Sequence, residues 1–426
     1  MKVLSFLMSA VLALSLAAVG CGGGGGPAAG QVLASDEERI TAPDVEAADV
    51  ALQSAANRSF ALDLYQYLAA ADGDLFFSPY SISLALAMTW AGARGQTEQQ
   101  MAEALHFELG QDALHPVFNY LDLELNSRGQ GAAGTEGRPF RLHVVNQTWG
   151  QVDYTFLEPF LDVLAQHYGA AMRLVDFVAA PEQCRQTINA WVAEQTEGLI
   201  EDLIPERAID ENVRLVLTNA IYFNAGWAEE FPPEATRDGE FQRLDGSSVT
   251  VAMMSQTYEF PFYLGDGFRA VELPYDGGEL SMVLLRPDAD FSTFEANLTV
   301  EQLDAVLAGL QTDMVTVRMP RWTYDGDTIS LNEALSALGM PAAFSGGQAD
   351  FSGMDGTRFL FISDVVHQAF ISVDEAGTEA GAATAVIMSG FGEPPDEINL
   401  DRPFIYLIRD IQTGTILFMG RVLDPS

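Results

Sequence analysis

The 426-residue sequence contains one lysine, Lys2, two cysteines, Cys21 and Cys184, and five histidines. Each scarcity excludes something. Binding a phosphate backbone needs clustered Lys and Arg, yet 21 basic residues stand against 60 acids, a formal net charge of −39. Nucleic acid, heparin-like polyanions and anionic membrane surfaces are therefore poor partners. Two cysteines make no disulfide scaffold. His106, His115, His143, His167 and His367 show no HxxxH-type spacing, so no metal site is expected. Cys184 falls in a predicted helix without a cysteine partner and reads as a buried, inert thiol. GxSxG, GxxxxGK[ST] and a GxGxxG after a strand are all absent, so no constellation for bond-making chemistry stands out. What is present is a core: 48% of residues are apolar and only 19% charged, too apolar for a disordered acidic polymer. Length alone suggests two or three domains.

The N-terminus reads as a targeting segment. Lys2 precedes an apolar stretch, Val3 to Val19, and then Gly20-Cys21. A positive start, an apolar run and small residues before a cut describe a secretory signal. Ala18-Val19-Gly20-Cys21 resembles a bacterial lipobox, in which the cysteine is lipidated and becomes the first residue. Residues 1–20 are thus expected to be a signal peptide, and 21–48 a flexible linker anchored by lipid at Cys21. That linker begins with the glycine run Gly22 to Gly26, and a flexible tether of this length spans on the order of 28 Å. The expected location is secreted or extracellular-facing, touching the membrane only through the anchor. Removing residues 1–20 removes Lys2 and no acid, leaving 20 Arg against 60 Asp and Glu, net −40. The acidity belongs to the remaining body, whose surface self-repulsion favours solubility.

Periodicity organises that body. Val50, Phe60, Leu64, Tyr67 and Leu68 recur at helical spacing, and Ser81 to Leu105 reads as helix interrupted at 91–95. Phe156–Tyr168 and Glu182–Glu197 are further helices. Arg141–Trp149, Val213–Phe223, Phe268–Leu273, Leu280–Leu285 and Val315–Pro320 read as strands, with Asn219 inside the second of these apolar runs. Leu331–Leu338 is a helix stopped by Gly339. Phe404–Arg409 and Ile416–Val422 form a closing strand pair around Gln412-Thr413-Gly414. No internal repeat and no Pro/Gly-rich linker divides the body, which reads as one α+β domain of roughly 380 residues.

The stretch 372–403 stands apart. Between Gly377 and Ala385 nearly every side chain is small. Linkers seldom sit between two strands of a core, and small side chains also suit a loop that later becomes a strand. Alternation by two places Thr378, Ala380, Ala382, Thr384, Val386 and Met388 on one face, increasingly apolar, and Glu379, Gly381, Ala383, Ala385 and Ile387 on the other.

Glu375-Ala376-Gly377-Thr378-Glu379-Ala380-Gly381-Ala382-Ala383 resembles the hinge of the reactive centre loop of an inhibitory serpin. Further matches follow in family order: Phe77-Ser78-Pro79-Tyr80-Ser81-Ile82-Ser83, Thr218 to Trp227, Leu273-Pro274-Tyr275, Ala349 to Met354, Asp401-Arg402-Pro403-Phe404, and Phe418-Met419-Gly420-Arg421-Val422. Each is weak alone and together they are specific. The resemblance implies a serpin domain over 49–426, with about nine helices, three β-sheets and an exposed loop at about 375–402. It implies suicide inhibition of a serine protease by a cofactor-free monomer: the loop is cleaved, the protease is held as an acyl-enzyme, and the loop inserts into the central sheet. The hinge is then Glu375, Gly377, Thr378, Glu379, Ala380, Gly381, Ala382 and Ala383. A polar shutter comprises Ser78, Ser81, Asn219 and His367, and Trp227, Arg321 and Glu375 form the breach at the top of the sheet. Family spacing from Gly377 puts the cleaved bond at Phe391–Gly392, whereas counting back from Arg402-Pro403-Phe404 moves it one residue on, and Met388 is a third candidate. An aromatic there suits chymotrypsin-like or subtilisin-like proteases; no Arg or Lys lies between Gly377 and Asp401. The alternative is a non-inhibitory serpin that binds or carries a ligand, but such members typically have bulky, charged or proline-bearing hinges.

Overall fold

A computed structural model describes residues 30–134, 140–378 and 394–426. In chain order its strands are β1 (Gln31–Leu33), β2 (Leu75–Phe77), β3 (Arg141–Gln151), β4 (Met172–Val175), β5 (Leu215–Gly226), β6 (Arg237–Gln242), β7 (Ser248–Leu264), β8 (Phe268–Pro274) and β9 (Leu280–Pro287). They continue with β10 (Gln311–Pro320), β11 (Trp322–Asp325), β12 (Ile329–Ser330), β13 (Asp364–Val373), β14 (Gly377–Thr378), β15 (Asp396–Asn399), β16 (Phe404–Asp410) and β17 (Ile416–Val422). An eight-stranded sheet runs β1-β4-β3-β5-β14-β13-β11, with β12 on β13. A nine-stranded network runs β15-β10-β7-β8-β9-β16-β17-β2, with β6 on β7. Two of the three expected sheets are continuous here because β7 is long: its start, Ser248–Met253, pairs with β6, Met253–Phe262 with β10, and its end, Phe262–Leu264, with β8.

Burial follows sequence. All twelve residues of β5 are buried, which is why it reads as an unbroken apolar run and lies inside the eight-stranded sheet. The Pro79–Trp90 helix is buried on every side and so shows almost no amphipathic stripe. Ser78 caps its start by accepting from the Ser81 N–H, with Pro79 at the first position, where a missing N–H costs nothing. The expected helix over Phe156–Tyr168 is an α-turn, Glu158–Val163, followed by a π-helical Leu164–Tyr168, ending at Gly169 in the left-handed region.

One expectation is corrected. Composition predicts a flexible tether over 21–48, yet residues 30–46 pack on the body. β1 extends the central sheet along β4. The Ser35 hydroxyl donates to Asp162 at 2.5 Å, and Arg39 donates to Asn119 at 2.9 Å and Asp122 at 2.6 Å. The Ile40 backbone is tied at both ends, to Gln166 and to the Asn119 amide. Polar composition resembles a linker, but an exposed strand edge and a pair of acceptors capture it. Cys21 lies outside the described residues.

Candidate functional site

At the upper end of the central sheet the chain leaves β13, turns, and returns as β14. Asp374 shapes the turn by accepting from Ala376 N–H at 3.0 Å. Two neighbours then hold its backbone through three hydrogen bonds: Trp227 N–H donates to Ala376 O, Phe231 N–H to Glu375 O, and the Trp227 indole N–H to Asp374 O at 3.0 Å. Trp227 is itself fixed by stacking on Tyr275, ring centroids 4.7 Å apart and nearly parallel. The approach is close because Gly226 has no side chain: a Cβ there would sit 3.3 Å from Ala133 O and 3.5 Å from Ala376 O.

Glu375 is buried, and its Oε1 accepts from Arg321 Nη2 and from the Thr236 hydroxyl, each at 2.5 Å. Burial pushes this carboxyl up, but the two hydrogen bonds and the Arg321 charge outweigh it and hold the group below the usual carboxylate range. A buried carboxylate with a charged partner and a second donor is a rigid anchor for the base of the loop. Beyond it, Gly377 and Thr378 pair antiparallel with Gly226 and Ala225 on β5, and Thr378 pairs with Val373 on β13. Thr378 is 1% exposed, and its hydroxyl shares a 2.9 Å hydrogen bond with the buried Tyr275 hydroxyl. Gly377 and Thr378, where the hinge is expected to begin, are therefore seated as a two-residue strand between β5 and β13. Below it these two strands pair directly and in parallel, from Ala369 with Ile221 down to Asp364 with Val216.

Beneath that parallel ladder lies a buried polar cluster. His367 Nε2 accepts from the Ser78 N–H at 3.1 Å. The ring proton is therefore on Nδ1, which donates to Asn219 Oδ1. The Asn219 amide donates to Ser81 Oγ and Asn146 Oδ1, and the Ser78 hydroxyl donates to Leu417 O at 2.7 Å. The cluster stitches β5, β13, β3, β17 and the Pro79–Trp90 helix together at one point. Burial pushes His367 down to about 3, so it is neutral.

This sets an acid limit. The unfolded histidine titrates near ~6.5, well above its folded value, so the unfolded chain takes the proton first. The stability is fully present above that pH and falls as pH drops toward 3. His115, also buried and pushed to about 3, acts with the same sign. We expect the unfolding free energy from urea titrations to decline below neutrality, by several kcal/mol in all, and His367→Gln, whose amide oxygen can still accept from Ser78, to show a shallower decline.

The structure thus brings together Ser78, Ser81, Asn219 and His367 in one cluster, and Trp227, Arg321 and Glu375 in a second, beside Gly377 and Thr378. Glu379, Ala380, Gly381, Ala382, Ala383, Met388, Phe391 and Gly392 lie outside the described residues. Asn146, Thr236 and Tyr275 escaped sequence reasoning as partners; only Tyr275 stood in a quoted motif, and nothing local marks the others. The Cys184 thiol is buried and pushed up to about 11, chiefly by desolvation, which agrees with an inert role. Among the described residues no cluster of His, Cys, Asp and Glu would hold a metal ion, and no helix is long and apolar enough to cross a membrane.

Residues 55–425 match the family pattern described as Serpin (serine protease inhibitor). Curated relatives include the leukocyte elastase inhibitor of Equus caballus, 41% identical over 385 residues that cover 87% of this chain and 99% of the relative. A serpin-like protein of Thermococcus kodakarensis is 40% identical, covering 86% and 84%. Among solved structures, the thermophilic serpin tengpin in its native state superposes with a TM-score of 0.79 at 27% identity, covering 92% of this chain and 97% of tengpin. Maspin superposes at 0.80 and 25% identity, covering 89% and 100%. The secreted, lipid-anchored location expected from the N-terminus is corrected by these relatives. The leukocyte elastase inhibitors align over 99% of their own length, bring no counterpart of a leader and tether, and do not support that location. The family description and these relatives' names are those of inhibitors and not of enzymes, and this chain, matched along nearly its whole folded length, belongs to the serpin family.

Proposed function

We propose that this protein is a monomeric, irreversible suicide inhibitor of serine proteases of chymotrypsin-like or subtilisin-like specificity. One observation carries the reading: Gly377 and Thr378 already sit between β5 and β13, in a register that the rest of the loop can continue. Extended antiparallel to both strands, the loop brings Ala382 opposite both Ile221 and Ala369, which are partners of each other in the existing ladder. No slippage of β5 against β13 is needed. Further down, Thr384 arrives between Asn219 and His367, so insertion parts their hydrogen bond. Insertion exchanges one parallel ladder for two antiparallel ones, and antiparallel pairing is the slightly more stable kind.

The chemistry follows from the cleavage. The protease serine attacks the carbonyl of Phe391, forming an ester; the peptide bond to Gly392 breaks and its nitrogen leaves as the amine, carrying the proton delivered by the protease histidine. Freed at that bond, the loop inserts, and the attached protease is carried along and distorted before water reaches the ester. The native form is in this reading a kinetic trap whose release depends on cleavage. Phe391 suits a hydrophobic specificity pocket, and the name of the leukocyte elastase inhibitors among the relatives supports a serine protease as target.

The test is a panel of chymotrypsin, subtilisin, elastase and trypsin. We expect an SDS-stable adduct at the summed mass with chymotrypsin or subtilisin, a released peptide beginning at Gly392, and no adduct with trypsin. Loop cleavage by chymotrypsin and subtilisin without adduct or inhibition refutes the reading.

A further inference from the structure

Sixty acids outnumber twenty arginines threefold in the body of this chain, so guanidinium groups are normally outnumbered. At one place the ratio inverts. Arg269 on β8 and Arg286 on β9 are directly opposed in register and so project on the same side of the sheet. Arg402, just after β15, joins them. Among the described residues only two carboxylates answer these three cations. Asp288 Oδ1 accepts from Arg286 Nη1 at 2.6 Å and lies 3.7 Å from Arg269 Nε. Asp401 accepts from Arg402 Nε at 2.8 Å, and its second oxygen also receives the Asn399 amide at 3.1 Å. Glu397 on β15 is engaged with Arg318 instead.

Arg286 lies beneath the other two, 9% exposed, and its buried Nε–H has no hydrogen-bond partner among the described residues. Burial first and Arg402 second make its charged form less favourable than usual. Like charges opposed on neighbouring strands are destabilising, and an under-partnered buried guanidinium is costly. Nothing in loop insertion calls for this arrangement. An anion does: guanidinium forks take tetrahedral oxyanions in bidentate fashion, and one more anion beside Asp288 and Asp401 would balance the surplus positive charge.

We propose that Arg269, Arg286 and Arg402 form a subsite for a small tetrahedral oxyanion, inorganic phosphate being the simplest. Arg269 also donates to the Glu397 backbone carbonyl at 3.0 Å. An anion held by the three arginines therefore ties β8 and β9 to β15, the strand that receives the C-terminal end of the loop, and stabilises the intact protein.

The experiment is a melting series in inorganic phosphate at constant ionic strength, which removes general screening, with calorimetric titration of phosphate alongside. In the intact protein we expect a saturable rise in Tm and a matching heat of binding, both retained in the distant control Arg185→Gln. Arg286→Leu, which fills the buried position with an apolar side chain, abolishes both. Arg269→Gln keeps the fold and weakens phosphate affinity by about tenfold or more. A rise that never saturates, or a saturable rise of the same size and midpoint in Arg286→Leu or Arg269→Gln, overturns the proposal.

Discussion

Replacing Thr378 by arginine turns the inhibitor into a substrate: the protease cleaves the loop and leaves, and the stoichiometry of inhibition rises by about tenfold or more. Thr378 follows Gly377 in the seated strand and is 1% exposed, against Tyr275. An arginine there faces a desolvation cost of several kcal/mol, and it expels the seated Gly377–Thr378 strand. Each ~1.4 kcal/mol added to the insertion barrier slows insertion about tenfold, while deacylation by water is unaffected. Partition between trap and release therefore moves by orders of magnitude for a change that leaves the rest of the fold in place. The measurement is titration of a fixed amount of chymotrypsin, with SDS gels to separate adduct from cleaved inhibitor. An unchanged stoichiometry contradicts insertion as the trapping step. Thr378→Ser, which keeps the hydroxyl for Tyr275, is expected to behave as the parent does.

Cleavage of the loop by a protease that is not trapped should raise the melting temperature on the order of 10–20 °C. The native central sheet holds β5 and β13 together through the pairs from Asp364–Val216 to Ala369–Ile221. Insertion replaces that ladder with two, adding roughly ten net hydrogen-bonded positions at ~1 kcal/mol each. It also buries the apolar face that includes Val386 and Met388, at about 25 cal/mol per Å². A gain on the order of 10 kcal/mol or more in a domain of this size moves Tm by that range. Differential scanning calorimetry before and after limited proteolysis reads it directly. A cleaved protein that melts where the intact one does has no metastable native state, and the inhibitor reading fails with it.

The elements that sequence periodicity anticipated are those whose environment is uniform along their length. β5 is buried throughout and reads as a continuous apolar run; the Pro79–Trp90 helix is buried all round and carries its own N-cap. Gly377 and Thr378, the described start of the expected hinge, fit a constraint that is local as well: side chains must be small wherever a strand threads between two others. Residues 30–46 were misread because polar composition describes a segment's solvation and is silent about a free sheet edge elsewhere in the chain. The partners of the anchoring groups were equally hidden. Arg321 meets Glu375 across 54 positions, Ser78 meets His367 across 289, and Thr378 meets Tyr275 across 103.

The scarcity of lysine, the excess of acid, the order of strands and helices and the small-residue hinge all follow from residue identity and spacing, since each depends on neighbours a few positions away. The tertiary fold settles other matters. It makes His367 a neutral acceptor, joins the nine-stranded network through β7 and captures the N-terminal segment on β4. It also seats Gly377 and Thr378 in a register that matches the ladder below them. Those outcomes depend on which distant surfaces meet, and on how far water is excluded where they do. Register between strands far apart in sequence, and the desolvation of a buried ring, are properties of the assembled sheet that no local pattern encodes.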